Sequence, residues 1–332
     1  MRARALVVSH AESATLWLLA ISANGHLRHA DTACGHGVLM PIVRHPNAPW
    51  VYVARRSEPF AVVRFLVDLE AWRLKRLDEA PLPASMPYLA IDRAGRWLLA
   101  ASFSSHLLAA LPIGPDGAVG PVRHTVPTAA NAHAVVLSHH ERFVLVPCLG
   151  GNRIERFAFD THSAELTRIE PAWIAAGNVG PRHACLNRRG DRLYVLHELA
   201  GQIEVLRFDP ADGTLESLSF AAMAMPAGAG APWAAELRLS PDERWLFASE
   251  RRTSTLHVFS VEDNGDTLRW RAATSTERQP RGFALDFDGK TLWVAGERSG
   301  HLTRYEVAAN GHLCATQRIA LDRGPNWVLP LA

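Results

Sequence analysis

One pattern recurs along the chain at nearly constant spacing: a polar residue, a short turn, a basic or aromatic residue, then four or five apolar residues closing on a polar one. Its clearest copy runs Ser240-Pro241-Asp242-Glu243-Arg244 into Trp245-Leu246-Phe247-Ala248 and closes on Ser249-Glu250-Arg251. Other copies start at His45, Asp92, Ser138, Asn187 and Asp286, so successive starts lie 47, 46, 49, 53 and 46 residues apart. Each interval holds four short strand signals; around Ser240 they are 236–239, 245–248, 255–259 and, past the turn Asp263-Asn264-Gly265, 267–270. Short β-rich runs with turn chemistry between them predict antiparallel meanders, whereas a helical repeat needs apolar spacing of three and four. Four strands in such an interval is the size of one propeller blade.

The two ends complete the count. Leu6-Val7-Val8-Ser9 matches a second strand and Leu16-Trp17-Leu18-Leu19-Ala20 a third, with no first strand before them, while Gly324-Pro325-Asn326-Trp327-Val328-Leu329 matches an inner strand with nothing after it. If the tail supplies the missing strand of the first blade, no sheet edge stays open. Residues 1–332 are then expected to form a single all-β domain, a seven-bladed β-propeller with four antiparallel strands per blade. Length alone, at 332 residues, suggests two ordinary domains, but a closed ring of small sheets absorbs it as one.

Composition narrows the function classes. With 35 basic and 33 acidic side chains the formal net charge is +2, which gives no long-range field for gripping nucleic acid. Any anion must be held by a local arginine cluster. Cys34, Cys148, Cys185 and Cys314 are far apart and form no C-x-x-C pair, so reduced thiols in a cytoplasmic protein fit better than disulfides or structural zinc. The start, Met1-Arg2-Ala3-Arg4-Ala5-Leu6-Val7-Val8-Ser9, lacks the apolar stretch of a signal peptide, and the apolar run 16–21 is too short to span a bilayer. No membrane association is expected, and a monomer or weak homodimer is.

Inner strands and their flanking loops line the central channel of a propeller. His133, Arg182 and Arg281 each open an inner strand, and Glu198 and Arg251 each stand at the polar end of the strand that follows. Ionisable groups from different blades should therefore converge on one mouth of the ring. Arg56, Arg251, His183 and Glu236 are further candidates, with Arg251 and Glu236 placed to pair across adjacent strands.

The chain resembles the lactonase family of seven-bladed propellers, which includes bacterial propeller-type 6-phosphogluconolactonases and fungal carboxymuconate-lactonizing enzymes. The likeness is carried by Asn131-Ala132-His133-Ala134, Gly180-Pro181-Arg182-His183, His197-Glu198, Trp233-Ala234-Ala235-Glu236, Glu250-Arg251, Gln279-Pro280-Arg281-Gly282-Phe283 and the closing Gly324-Pro325-Asn326-Trp327-Val328. It implies that His133, Arg182, Glu198 and Arg281 match the family's active-site positions. Two departures change one wall: Tyr88 stands where the family often has His, and Ser102-Phe103-Ser104 where a hydroxyl-bearing aromatic is common. They put the phosphorylated substrate in doubt more than the lactonase chemistry.

That residue set suits a lactone. Hydrolysis needs an activated water and stabilisation of the charge that develops on the carbonyl oxygen. His133, with an unperturbed pKa near 6.5, is the natural proton acceptor; Glu198, held ionised by an adjacent arginine, is the better orienting group, although it could take the base role. Arg182 and Arg281 offer planar forks for an oxyanion, carboxylate or phosphate. The expected reaction is hydrolysis of an anionic sugar lactone, 6-phosphogluconolactone first, without metal or other cofactor, because the mouth is arginine-rich where a calcium site needs carboxylates. Alternatives are a plain aldonolactone, cycloisomerisation of a muconate-type diacid, or a non-catalytic scaffold ring. No G-x-S-x-G elbow, P-loop, G-x-G-x-x-G after a strand or H-E-x-x-H is present.

Overall fold

The computed structural model describes residues 4–332; Met1, Arg2 and Ala3, the start of the basic N-terminal segment, lie outside the described residues. The polar residue that opens four of the six sequence repeats is a turn cap. Asp92 Oδ1 accepts from the backbone N–H groups of Arg96 and Trp97, Asn187 Oδ1 from those of Asp191 and Arg192, Ser138 Oγ from Phe143 and Ser240 Oγ from Trp245. Asx and Ser/Thr side chains are favoured in turns because they satisfy such backbone donors locally. The turns also interlock neighbouring blades: Gly95, at φ +74°, sits so close to the His45 imidazole that a Cβ there would lie 2.2 Å from Nε2.

Among the described residues the strands form seven four-stranded antiparallel sheets. The inner strands are Leu39–Arg44, Tyr88–Ile91, Val136–Leu137, Pro181–Leu186, Ala234–Leu239, Pro280–Leu285 and Pro325–Leu331. The last of these pairs with Arg4–His10, so the first blade has the order Pro325–Leu331, Arg4–His10, Thr15–Ile21, Leu27–Cys34 and the ring is closed by both ends of the chain. The register runs from Ala5 opposite Leu331 to His10 opposite Pro325.

The core lies between blades. Val7, Leu16 and Leu18 of the first blade pack with Val51, Val53, Val63 and Phe65 of the second, and similar clusters bridge the other blades. Sheets covered on both faces need strands apolar on both faces. That accounts for the unbroken runs Val51-Tyr52-Val53-Ala54 and Leu246-Phe247-Ala248, all buried. Outer strands alternate or face solvent, as Arg73–Pro81 does.

Candidate active site at the channel mouth

The side chains of interest are aimed by a backbone device that the blades repeat. Asn131, Gly180, Gln279 and Gly324 all have positive φ, of 61°, 69°, 55° and 68°. The carbonyl of each accepts a hydrogen bond from the residue just past the second strand of its blade: Leu149, Glu198, Glu297 and Ala11 respectively, at 2.8–3.1 Å. In three of these blades the ladder then shifts register, between Pro181 and His183, between Pro280 and Gly282, and opposite Ser9 and His10. The residues left over at the shifts are Arg182, Arg281 and Asn326. Bulges of this kind re-aim a side chain and are frequent beside functional sites. The Gly-Pro-Arg, Gln-Pro-Arg and Gly-Pro-Asn motifs thus record a left-handed residue, a proline with no ladder N–H to lose, and a projected polar group. At Gly282, next to Arg281, a Cβ would lie 2.3 Å from the Asn326 carbonyl oxygen, so two inner strands meet there backbone to backbone.

Glu198 is clamped between two guanidinium groups, with Oε2 2.7 Å from Arg182 Nε and 2.8 Å from Arg251 Nη2. Arg182, 1% exposed, also donates through Nη1 to the Ala235 carbonyl, which leaves Nη2 as its free prong. Arg251 lies 4.0 Å over the Trp233 ring and donates to the Trp233 and Ala234 carbonyls at 3.1 Å. Burial and the neighbouring arginines pull Arg251 down to about 8 and Arg182 to about 10. Arg56 donates to Ser85 Oγ at 3.0 Å; burial, then the charges of Arg281 and Arg182, lower it to about 10.

His133 is 6% exposed, against the edge of Phe103 on one side and His183 on the other. Burial, then the neighbouring Arg182, His183, Arg281 and Arg251, hold its imidazole well below the usual histidine range, so it is neutral at neutral pH. Among the described residues its Nδ1 is buried without a partner, as are His183 Nε2 and Asn326 Nδ2.

Six expected residues therefore meet at one mouth: His133, Arg182, Glu198, Arg251, Arg281 and Arg56. The other three lie one layer deeper or beyond. His183 Nδ1 is 2.8 Å from Glu236 Oε1, and both residues are buried. Tyr88 packs edge-on against His183 and Trp327 and lines a cavity of about 520 Å³ at the far end of the channel, with Arg44 and Arg238, away from the arginine mouth. The expected Arg251–Glu236 pair does not form: Arg251 turns to Glu198, and Glu236 is taken by His183 and, at 3.4 Å, by Arg238. Their strands are neighbours, but Glu236 lies within the register shift between Ala234 and Leu237, which sends it below the mouth. Glu297 was missed. It occupies the Glu198 position of the last blade, accepts from Gln279 Nε2 at 2.8 Å and acts electrostatically on Arg56 and Arg251. The repeat register could have found it, since Gly296-Glu297 ends the same kind of run as His197-Glu198.

Among the described residues, no three His, Cys, Asp or Glu side chains are gathered where they could hold a metal ion, and no helix is long and apolar enough to cross a membrane. The donor set of the mouth is guanidinium and imidazole, which suits an anion.

The family model described as "Lactonase, 7-bladed beta-propeller" matches residues 6–330. A 6-phosphogluconolactonase of Serratia proteamaculans is 32% identical over 327 residues, covering 98% of each chain. One from Sodalis glossinidius is 33% identical over 297 residues, covering 88% of each. The periplasmic gluconolactonase PpgL of Pseudomonas aeruginosa shares the fold, with a TM-score of 0.92 over 100% of this chain and 99% of that one at 22% identity. With that match over nearly its whole length, the chain belongs to the seven-bladed β-propeller lactonase family.

Proposed function

We propose that the protein hydrolyses an anionic sugar lactone, 6-phosphogluconolactone foremost, at the arginine mouth and without a metal. The observation that carries this is the juxtaposition of a neutral, buried imidazole with a carboxylate clamped by two arginines. In this reaction His133 takes a proton from water as the oxygen adds to the lactone carbonyl. The oxyanion that develops is met by the free Nη2 of Arg182 and by Arg281. The carbon–ring-oxygen bond then breaks, and the proton returns from His133 to the leaving alkoxide. Glu198 is the orienting group: between Arg182 and Arg251 it fixes both guanidinium planes. Arg281 and Arg56 lie in ion pairs with no carboxylate among the described residues, which makes them the groups for a phosphate or carboxylate on the substrate. The naming of curated relatives as 6-phosphogluconolactonases supports the phosphorylated substrate over a plain aldonolactone. A reducing cytoplasm suits the four free thiols.

The test is disappearance of 6-phosphogluconolactone and of gluconolactone above the spontaneous rate with purified protein, with and without chelator. Acceleration that survives chelation is expected, larger for the phosphorylated lactone. No acceleration with either lactone overturns the proposal, and loss of activity on chelation overturns its metal-free part.

A further inference from the structure

Beneath His133 lies a second buried polar unit that the chemistry above does not use. His183 Nδ1 faces Glu236 Oε1 at 2.8 Å, with 4% and 3% of the two side chains exposed. Glu236 Oε1 also accepts from the Leu237 N–H at 3.0 Å, and Oε2 stands 3.4 Å from Arg238. Those contacts hold the carboxylate ionised, at about 2. An ionised carboxylate only accepts, so His183 must carry its hydrogen on Nδ1, and Nε2 is a bare lone pair. That lone pair is buried and has no partner among the described residues, and neither has His133 Nδ1. The two rings are 5.2 Å apart between centroids, inclined at 61°. With ring nitrogens roughly 1.2 Å from their centroids, this spacing admits an N–H···N bond of about 3 Å after a small ring rotation.

We propose that Glu236, His183 and His133 form a positioning relay: Glu236 fixes the tautomer of His183, and His183 Nε2 accepts a hydrogen bond from His133 Nδ1–H, so that His133 presents its Nε2 lone pair to the water. The relay rests on the lactonase reading of His133. It needs no proton transfer along its length. His133 Nε2 gains the proton that water loses and gives it back to the leaving alkoxide, while Nδ1–H of His133 and Nδ1–H of His183 stay where they are. His183 and Glu236 are positioning residues: at His183 the charge of Glu236 opposes those of Arg182 and Arg238, Tyr88 packs against His183 from below, and His133 itself faces Arg182, Arg281 and Arg251. Tyr88 and Trp327 pack edge-on around His183 and limit its rotation.

Three measurements test it. Nitrogen-15 spectra of the histidine rings should show His183 and His133 both protonated on Nδ1 with bare Nε2. Glu236→Gln should lower kcat about 10- to 100-fold, with KM roughly unchanged, by weakening one charge-assisted interaction. It should also move the acid limb of kcat/KM to lower pH, because the imidazolium loses its distant countercharge. In a His183→Phe background, which keeps the aromatic packing, Glu236→Gln should have no further effect on kcat, whereas two independent structural roles would add. Partial recovery in Glu236→Asp is expected. Should His183→Phe not fold by melting curve, the spectra and Glu236→Gln decide alone. Proton on His183 Nε2, or wild-type kcat and pH limb in Glu236→Gln, overturns the relay while leaving the lactonase reading intact. Activity retained in His133→Gln overturns the assignment of His133 as base, and the relay's role with it.

Discussion

Arg182→Ala separates the jobs that one guanidinium performs at the mouth. Its Nε faces Glu198 at 2.7 Å and its Nη1 is committed to the Ala235 carbonyl, so one prong, Nη2, is left for the substrate. A single charge-assisted hydrogen bond of roughly 1.5–3 kcal/mol is therefore at stake, and kcat/KM should fall about 10- to 150-fold. Lysine restores only part of this, because an ammonium can serve Glu198 or the substrate but cannot span both as the fork does. Glu198 keeps Arg251 at 2.8 Å, so the variant does not orphan a buried carboxylate. The remaining structural loss is the partner of Ala235 O, costing about 1–3 kcal/mol and lowering Tm by a few degrees. The pH profile gives a sign that simple damage would not. After burial, the charge of Arg182 does most to hold His133 below the usual histidine range. Removing it makes the imidazolium more favourable, so the acid limb of kcat/KM should move to higher pH. Lactone disappearance with spontaneous hydrolysis subtracted, followed across pH beside a melting curve, is the assay. A folded variant with wild-type kcat/KM, or a limb displaced downward, refutes the assigned roles.

Glu198→Gln should move the limb the opposite way: it leaves the charges of Arg182 and Arg251 uncompensated beside His133, so the midpoint falls along with the rate, and an upward shift in the same titration contradicts this. Arg281→Ala should lose about 10- to 150-fold in kcat/KM by forfeiting one charge-assisted contact, measured on the phosphorylated lactone. Deleting the strand Pro325–Leu331 removes the buried Trp327, Val328 and Leu331 side chains, each contributing about 1.5–3 kcal/mol, against a net stability of only 5–15 kcal/mol typical of domains. A truncated protein with an unchanged melting temperature would show that closure contributes little. Gly282→Ala should lower Tm by several degrees by pushing a methyl group into the Asn326 carbonyl, and a neutral melting curve would show that the two inner strands can separate there.

The repeat made the architecture legible because each blade must solve the same packing problem, apolar on both faces, with the same turn at the same place. The closing tail was legible for the complementary reason, since one end lacked what the other supplied. The phase of the repeat also placed His133, Arg182, Arg281, Glu198 and Arg251 at one mouth, while Arg56 was a candidate without a position. Pairing was harder to read. Whether Arg251 meets Glu236 or Glu198 depends on a register shift of one residue, and no side-chain pattern in Trp233-Ala234-Ala235-Glu236 announces it. The depth of Tyr88 was hidden for a similar reason: its ladder partner, Ala101, puts it level with His183, one layer below the arginines. The ordinary imidazole value near 6.5 does not carry over to His133, because burial and the charges of Arg182, Arg281 and Arg251, contributed by other segments, hold it well below that range.

Closure through the tail also sets an order of events during synthesis. Ser9 and its hydrogen-bond partner Asn326 are 317 residues apart in the chain, and at about 5–20 residues per second the ribosome makes the first wait roughly 15–60 s for the second. Throughout that interval Arg4–His10, an apolar strand, has one flank with no neighbour to bond. Six blades can stack meanwhile, so the nascent protein passes through an open arc whose two raw edges fit one another, and equally fit those of a second nascent copy. The mouth acquires Asn326 only when the arc shuts. Crowded polysomes should therefore be the place where this protein swaps its last strand between chains.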